Sequence, residues 1–393
     1  MFRRKTSSLP EDIVFPGTLA ELGYFVNDKD QIRQIKNPEQ RYNPKTNRSE
    51  RVNMMYRDAM NSCVADIVSK RLNHLGFETL RLPLGAGPTD NHVPIYLSPG
   101  VKHKKRVIVY FPERQIDPII QSFRVTGEND IATGSVLKIV DGIMNGPAAT
   151  TDKGAPGFII TNPSQLFWYR GEQRPVTWYR WLNLPMPTAV SPAYRVDPEK
   201  NLIPGNANSK EHVEYIFEEV LAGSTVDADA KLDIIAMDWL GKEVLSILLR
   251  IVSPLRIKST AKADVSGPNW SQRVSSICFC SPQHRIVDLL EHEAPTDLIE
   301  FLSKKCRAYF VSNEKQGTVV EGRPEFGCNC YASGDQTYKH QVLIRAWPAI
   351  LDHFNAVHTL EDFEEVERFA PLELEGNGTQ NGQENGYEDH SEA

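Results

Sequence analysis

The sequence predicts a three-layer α/β fold with a mostly parallel central sheet. Strand-like apolar runs alternate with helical patterns through most of the 393 residues, an order that places helices on both faces of a parallel sheet. Residues 106–111 (RVIVYF) form a nearly continuous apolar run, as expected for a strand that is buried on both faces. Hydrophobic residues make up 40% and charged residues 24% of the chain, which is ordinary for a globular protein.

The individual elements follow from the spacing of apolar residues. Residues 49–76 carry apolar side chains at helical spacing and end at Gly76, a suitable residue for a helix C-terminus. The predicted strands are 93–98, 106–111, 157–162, 232–237, 273–281, 307–312 and 328–333. The further predicted helices are 129–145, 209–223, 239–251, 295–306 and 340–355.

Three segments are predicted along the chain. Residues 1–12 are an N-terminal tail, and residues 13–370 are the folded domain, which contains a long Pro- and Trp-rich segment at 163–208. Structureless connections of that length are usually functional, so we interpret 163–208 as a cap. Residues 371–393 are rich in Gly, Asn, Gln and Glu and are predicted to be disordered.

Net charge argues against direct nucleic-acid binding. The chain carries −7, and residues 371–393 hold six acidic residues and no Lys or Arg, which leaves the remainder near −1. A basic footprint would be expected of a nucleic-acid-binding surface. The run 102–106 (KHKKR) is interpreted as a solvated strand edge, with a phosphate contact as the alternative.

The compartment is predicted from what the chain does not contain. The opening MFRRKTSSLPEDIVF carries no apolar signal core, and no run of membrane-spanning length occurs. Six cysteines are too few for a disulfide framework in a chain of this size. We therefore expect the protein in the nucleus and cytoplasm, with no membrane partner.

Residues 234–248 (IIAMDWLGKEVLSIL) place a sharp corner between a strand and a helix. In α/β-hydrolases that corner reads G-x-S-x-G and exposes a nucleophilic serine. Here Asp238 stands at the serine position, flanked by Ala236 and the bulky Leu240. An aspartate can act as a nucleophile through an ester intermediate, but it can also simply cap the helix that follows. The order of elements suits the α/β-hydrolase fold.

Three further parts of a hydrolase site are incomplete. His340 follows the last strand, where the catalytic histidine would lie, or it makes a structural hydrogen bond. The strand at 273–281 ends in Ser281 and not in an acid, which leaves Asp288 as the candidate acid. The loop after 106–111 begins with Pro112 and lacks the glycine that an oxyanion hole needs. Together these changes favour loss of catalysis, and any residual activity would rest on Asp238, His340 and Asp288.

Two C-x-C pairs could in principle make a zinc site. Cys278 and Cys280 lie on one predicted strand, and Cys328 and Cys330 lie on another. Structural zinc sites usually use C-x₂-C pairs on loops, whereas free cysteine is common in cores. We interpret all four as core residues and predict no metal or other cofactor.

The cap segment is rich in aromatic residues and arginines. Such residues are enriched at protein–protein hot spots, although they also stack on nucleic-acid bases or cover a pocket. We predict a partner-binding surface made of Trp168, Arg170, Trp178 and Trp181.

Several blocks resemble one known family. They are FPGTLAELGYFVNDKDQIRQI (15–35), the helix at 49–76, ITNPSQLFWYRG (160–171), IPGNANSKEHVEYIFEEV (203–220) and CYASGDQTYKHQVLIRAWPAILDHF (330–354). The family is that of the second Argonaute-binding protein of the fission-yeast siRNA chaperone complex, whose domain also occurs at the C-terminus of fungal class II histone deacetylases. The resemblance spans roughly residues 13–356 and implies an α/β-hydrolase-like fold with roles in heterochromatin and RNA-guided silencing.

The sequence therefore predicts a non-catalytic scaffold or adaptor in gene silencing. The expected partners are an Argonaute, an Argonaute-binding protein or a histone-deacetylase subunit, with nucleic acid contacted only indirectly. The alternative is a hydrolase that uses an aspartate nucleophile on an epoxide, halide or ester-like substrate.

Overall fold

The centre of the molecule is an eight-stranded sheet. The computed structural model describes residues 8–150, 154–252 and 269–369, so the predicted tail at 371–393 lies outside the described residues. In chain order the strands are β1 (Glu78–Leu82), β2 (Val93–Leu97), β3 (Arg106–Phe111), β4 (Gly157–Ile160), β5 (Lys231–Met237), β6 (Val274–Cys280), β7 (Arg307–Phe310) and β8 (Asn329–Ala332). Their order across the sheet is β1-β2-β4-β3-β5-β6-β7-β8.

Seven of these eight strands run in one direction, and β2 runs against them. Strands β4, β3, β5, β6, β7 and β8 pair in parallel with their neighbours, while β2 is antiparallel to β4 and β1 is antiparallel to β2. One face packs against helices Ser209–Tyr215, Leu240–Val252 and Thr296–Lys305, and the other against Glu50–His74, Leu137–Asn145 and Val342–Thr359. The predicted α/β class with a mostly parallel sheet is confirmed.

Short elements complete the described structure. Two antiparallel hairpins lie outside the sheet, Tyr24–Val26 with Ile32–Gln34 and Phe167–Tyr169 with Arg174–Val176. The short helices are Phe123–Glu128, Trp178–Leu182, Pro198–Asn201, Trp270–Arg273 and Ile286–Glu291. A π-helical turn at Ile216–Leu221 extends the helix that begins at Ser209.

The cysteine pairs lie on opposite faces of the sheet. Cys278 and Cys280 belong to the core under helix Glu50–His74, whereas Cys328 and Cys330 belong to the core on the other side. Residues two apart on a strand share a face, so each pair is together but the pairs are separated by the sheet. The described cysteines are free and buried, and this placement rules out a four-cysteine site built from the two pairs.

Two elements differ from the sequence prediction. Strand β1 was missed because its residues ETLRL alternate polar and apolar only weakly at an exposed edge. The helix predicted at 129–145 begins only at Leu137. Tertiary contacts hold the preceding residues in a loop: Asp30 accepts hydrogen bonds from the amides of Ile131 and Ala132.

The cap segment (residues 163–208) is anchored by the chain's N-terminal residues. The Asp12 carboxylate is bound by both terminal nitrogens of Arg51 on helix Glu50–His74, at 2.7 Å each. It also accepts the Met186 amide of the cap, and Pro10 accepts the Ala189 amide. The hydrogen bonds from Arg51 lower the pKa of Asp12 to about 2. Within the predicted tail 1–12, residues 10 and 12 therefore contact the folded body.

Candidate functional site

The loops at the carboxyl edge of the parallel strands bring together two blocks of the family resemblance. Asn162 follows β4, and His212 lies on the helix that leaves the cap. His212 Nε2 accepts the Asn162 amide at 3.0 Å, and its Nδ1 lies 2.7 Å from the side-chain oxygen of Asn206. Since Nε2 accepts, Nδ1 carries the proton and donates. Burial lowers the pKa of His212 to about 3, so the ring is neutral.

The Asn162 side chain extends this network, which we call the cap anchor (Asn162, His212 and Asn206). Its amide nitrogen donates to the Pro94 carbonyl and to Gln165, while its oxygen accepts from Ser164 and from the Gln165 amide. All these groups are buried or half-buried. The cap anchor thus ties the first strands of the sheet, the cap and the following helix into one unit.

The strand-to-helix elbow (residues 237–241) has the predicted strained geometry. Asp238 has φ +47°, a left-handed conformation, and its amide donates to the Cys280 carbonyl at 2.8 Å. The Asp238 carboxylate lies 3.7 Å from the Lys339 ammonium. Among the described residues it accepts no hydrogen bond from the helix that begins at Leu240. The interpretation of Asp238 as a helix cap is therefore not supported.

In G-x-S-x-G the second glycine lets the chain approach a neighbouring strand closely. Here that position is Leu240, and Gly241, one place later, makes the close approach. A Cβ at Gly241 would lie 2.9 Å from the Phe279 ring. The Phe279 ring in turn packs on His284, with ring centroids 4.4 Å apart. His284 is buried, which lowers its pKa to about 4. His284 is thus packed in the core beneath the elbow and does not face the crevice.

His340 is paired with a carboxylate that the sequence did not identify. Its Nδ1 lies 2.5 Å from Glu113, which follows Pro112 on the loop after β3. The Glu113 side chain is 4% exposed. Its second carboxylate oxygen is buried and has no hydrogen-bond partner in the described structure.

Asp288, the predicted acid, is not part of the Glu113–His340 pair. Its carboxylate is 3.0 Å from the Lys242 ammonium, on the helix that follows the elbow. The three predicted catalytic residues therefore contact three different partners: Asp238 contacts Lys339, His340 contacts Glu113, and Asp288 contacts Lys242. The structure does not join them into a hydrogen-bonded triad.

The loop after β3 differs from that of an active α/β-hydrolase. In such enzymes an amide from this loop binds a developing oxyanion, whereas here the loop carries the buried Glu113 carboxylate.

Two of the four predicted partner-binding residues are buried, which corrects that prediction. Trp168 is 2% exposed and packs against His92. Trp181 is also buried, and its indole N–H donates to the Tyr194 carbonyl at 3.0 Å. Their rings are therefore unavailable to a partner. Trp178 is 46% exposed and Arg170 is exposed, so these two stay a prediction.

Other exposed apolar side chains surround Trp178 in sequence. They are Tyr179, Leu182, Val190 and Tyr194. We call Arg170, Trp178, Tyr179, Leu182, Val190 and Tyr194 the cap surface. Leu182 was missed because composition alone does not tell which side of a short helix faces solvent, and Val190 and Tyr194 because they lie in the irregular chain that follows it.

A cavity of about 330 Å³ lies between the cap and helix Glu50–His74. Polar side chains line much of it, among them Asp58, Asp117 and Arg180. Arg180 joins the cap to the helix by donating to Asp58 at 2.6 Å and to Ser62 at 2.7 Å. Burial raises the pKa of Asp117 to about 6. Neither this cavity nor the larger one described below is lined by Asp238 or His340.

In the described ranges, no group of three or more His, Cys, Asp or Glu side chains is placed to hold a metal ion. None of the described helices is both long enough and apolar enough to cross a bilayer.

Comparison with known proteins gives one family and one distant structural likeness. No curated protein matches the chain. Among solved structures, the chain is similar to one titled "Structure of the histone deacetylase Clr3", with 12% identity and a TM-score of 0.38, covering 81% of this chain and 41% of that chain. The chain thus spans less than half of that protein. The model of the Arb2 domain matches residues 15–316, and with the motif blocks gathered at the cap anchor, this confirms that the chain belongs to the Arb2-domain family.

Proposed function

We propose that the protein is a non-catalytic scaffold or adaptor in gene silencing. Membership in the Arb2-domain family supports a silencing-associated role. The main support for a non-catalytic role is the Glu113–His340 pair, because it places a buried carboxylate on the loop that would form an oxyanion hole.

The fold that underlies this role is that of an α/β-hydrolase. The strand order β1-β2-β4-β3-β5-β6-β7-β8, with β2 antiparallel, supports this assignment. So does the left-handed residue at the turn between β5 and its helix, which is the elbow of that fold. In this proposal the chain keeps the hydrolase framework, while the site at its carboxyl edge no longer assembles.

The cap surface is the proposed docking site. Trp178 and Arg170 are the residue types that carry most binding energy at protein interfaces, and both are exposed here. By family resemblance the partner is an Argonaute, an Argonaute-binding protein or a histone-deacetylase subunit, in the nucleus and cytoplasm. The near-neutral body favours contact with protein, with nucleic acid reached only through that partner.

Affinity purification of the full chain tests the docking proposal. We expect a silencing protein to be recovered, and recovery should survive nuclease treatment. Replacing Trp178 and Arg170 by Ala should weaken recovery, since a hot-spot residue contributes about 2 kcal/mol or more. The matched control is Leu360→Ala, which removes an exposed apolar side chain outside the cap. Equal recovery by both variants, or loss after nuclease, would contradict the proposal.

Turnover assays test the non-catalytic part. Aryl esters, styrene oxides and bromoalkanes should show no hydrolysis that depends on Asp238. An Asp238→Asn variant that abolished a measurable rate, or that trapped an alkyl-enzyme adduct, would instead establish the hydrolase.

A further inference from the structure

A second, larger cavity lies at the opposite edge of the sheet, far along the strands from the elbow. It measures about 850 Å³, within the range of small-molecule sites. It opens beside the first residues of β3 and β5, namely Arg106 and Lys231, and beside the segment that leads into β4. No residue of the elbow or of the cap lines it.

One wall of this cavity is cationic. Lys104, Lys105, Arg106 and Lys231 line it, and Asp229 is the single carboxylate in the described lining. Lys105 is neutralised by Asp227, outside the cavity lining.

The ammonium groups of Lys104 and Lys231 are held differently. Lys104 Nζ donates to the Ala155 carbonyl at 2.8 Å, and Lys231 Nζ donates to the Gln272 carbonyl at 2.6 Å. Among the described contacts neither ammonium meets a carboxylate. The carbonyl oxygens hold the two ammonium groups in place, but they carry no negative charge to neutralise them.

Arg106 contributes a donor without a partner. Its Nε donates to Asp233 at 2.7 Å and its Nη1 donates to Asn355 at 2.9 Å. Its Nη2 is buried and has no partner in the described structure, so a ligand in the open cavity would reach it only after the side chain moved. Buried donors are normally satisfied, so an orphaned one calls for an explanation, such as an absent acceptor.

Part of the lining is apolar: it includes Pro147, Ala148, Ala155 and Pro156, with Ala155 directly beside the Lys104 ammonium. A ligand that filled the cavity would therefore place an anionic group against the cations and an uncharged body against the prolines and alanines.

We propose that this cavity binds an organic phosphate, of the class of mononucleotides. The Lys104 and Lys231 ammonium groups each keep donors beyond their carbonyl contacts, which suits a phosphate dianion with three acceptor oxygens. This site is independent of the proposed docking function, because it lies at the other edge of the sheet and shares no residue with the cap surface.

Calorimetric titration of the full chain with adenosine monophosphate, inorganic phosphate and adenosine tests the proposal. Adenosine monophosphate should bind more tightly than either of the other two, because only it engages both the cationic and the apolar lining. Lys104→Gln and Lys231→Gln keep a donor for the backbone carbonyl but remove the charge, and each should weaken binding by about fivefold or more. Lys102→Gln is the matched control, since Lys102 belongs to the same basic run but does not line the cavity.

Four results would overturn the proposal. They are no binding of adenosine monophosphate, adenosine binding as tightly as its monophosphate, full affinity in both Gln variants, and equal weakening by Lys102→Gln. Lys104→Arg and Lys231→Arg separate charge from folding, since they keep the charge and should retain affinity. If the Arg variants lose binding as the Gln variants do while the melting temperature holds, charge is not the cause and the proposal fails.

Discussion

The cap anchor and the elbow lie at the same edge of the sheet, and a histidine lies beside a polar side chain both at the anchor and on the loops next to the elbow. At the cap anchor the ring of His212 is buried and both of its nitrogens are bonded. At the elbow, Asp238 has one contact at 3.7 Å, and one oxygen of the buried Glu113 carboxylate is unpartnered. At the cap anchor, the polar side chains that come from the family-resemblance blocks are thus fully hydrogen-bonded. The residues at the catalytic positions of a hydrolase form separate pairs, and these leave a distant cation as the contact of Asp238 and one Glu113 oxygen unpartnered.

This difference indicates which site the fold depends on. A network whose buried members are all satisfied stabilises a fold, and removing one member leaves the others unpaired. Loosely paired, half-exposed residues contribute little to stability. Substitutions at the two sites should therefore have very different effects.

Replacing His212 by Ala should have the largest effect. It would leave the Asn162 amide and the Asn206 Oδ1 buried without the partner that His212 provides, at a cost of about 3 kcal/mol or more in unfolding free energy. Urea denaturation measures this cost. Asp238→Ala is the comparison and should cost much less; equal losses for the two variants would remove the distinction between the sites.

Acidification should distinguish the sites next. The pKa of His212 falls from 6.5 when unfolded to about 3 when folded, so below pH 6.5 the unfolded chain takes up a proton that the folded chain does not. Stability contributed by the neutral ring is therefore present above 6.5 and lost as the pH falls. His212→Gln should remove about 2 kcal/mol of the destabilisation seen on going from neutral pH to about pH 5. Parallel pH curves for wild type and variant would show that His212 does not titrate in this way.

Asp12 tests whether the cap has a second anchor. Its pKa is lowered from 3.8 to about 2, so its contribution is present above pH 3.8 and disappears as the pH falls through about 2. Because Arg51 is partly exposed, we expect Asp12→Asn to cost only roughly 1–2 kcal/mol at neutral pH. The difference from wild type should vanish near pH 2 in thermal unfolding. A difference that persists there would assign the effect to something other than the carboxylate charge.

The smallest expected effect has the opposite sign. Asp238 is held at φ +47°, where glycine has no steric penalty. Asp238→Gly should leave stability unchanged or raise it by up to about 1 kcal/mol. A clear loss, measured in the same urea series, would mean that the Asp238 side chain has a structural role that its contact with Lys339 does not explain.

Much of the fold could be predicted because apolar spacing is a local property. Residues 106–111 and 232–237 were identified as buried strands from composition alone, and the elbow from the strand and helix that flank it. The loop before Leu137 could not be predicted, since Asp30 holds it from about a hundred residues away. Local helical spacing was overridden there by a tertiary contact.

The candidate site shows the same limit. His340 was placed correctly after the last strand, but its partner Glu113 is 227 residues distant in sequence. A charged residue directly after a buried strand was the available signal, and nothing local tied it to His340. The burial of Trp168 had a better signal: it is the middle residue of a three-residue strand, where period-two alternation turns the central side chain away from its neighbours.

The buried cysteines can report on opening of the folded structure, because a thiol must be exposed before a reagent can reach it. All six thiols are buried, and burial raises the pKa of five of them at β6, β7 and β8. With Cys63 on helix Glu50–His74 replaced, a thiol reagent added to the native protein reacts only when that half of the sheet opens, and its rate measures the opening without any label. For the same reason, a single cysteine introduced at Trp178 would take a fluorophore selectively, leaving the native thiols untouched.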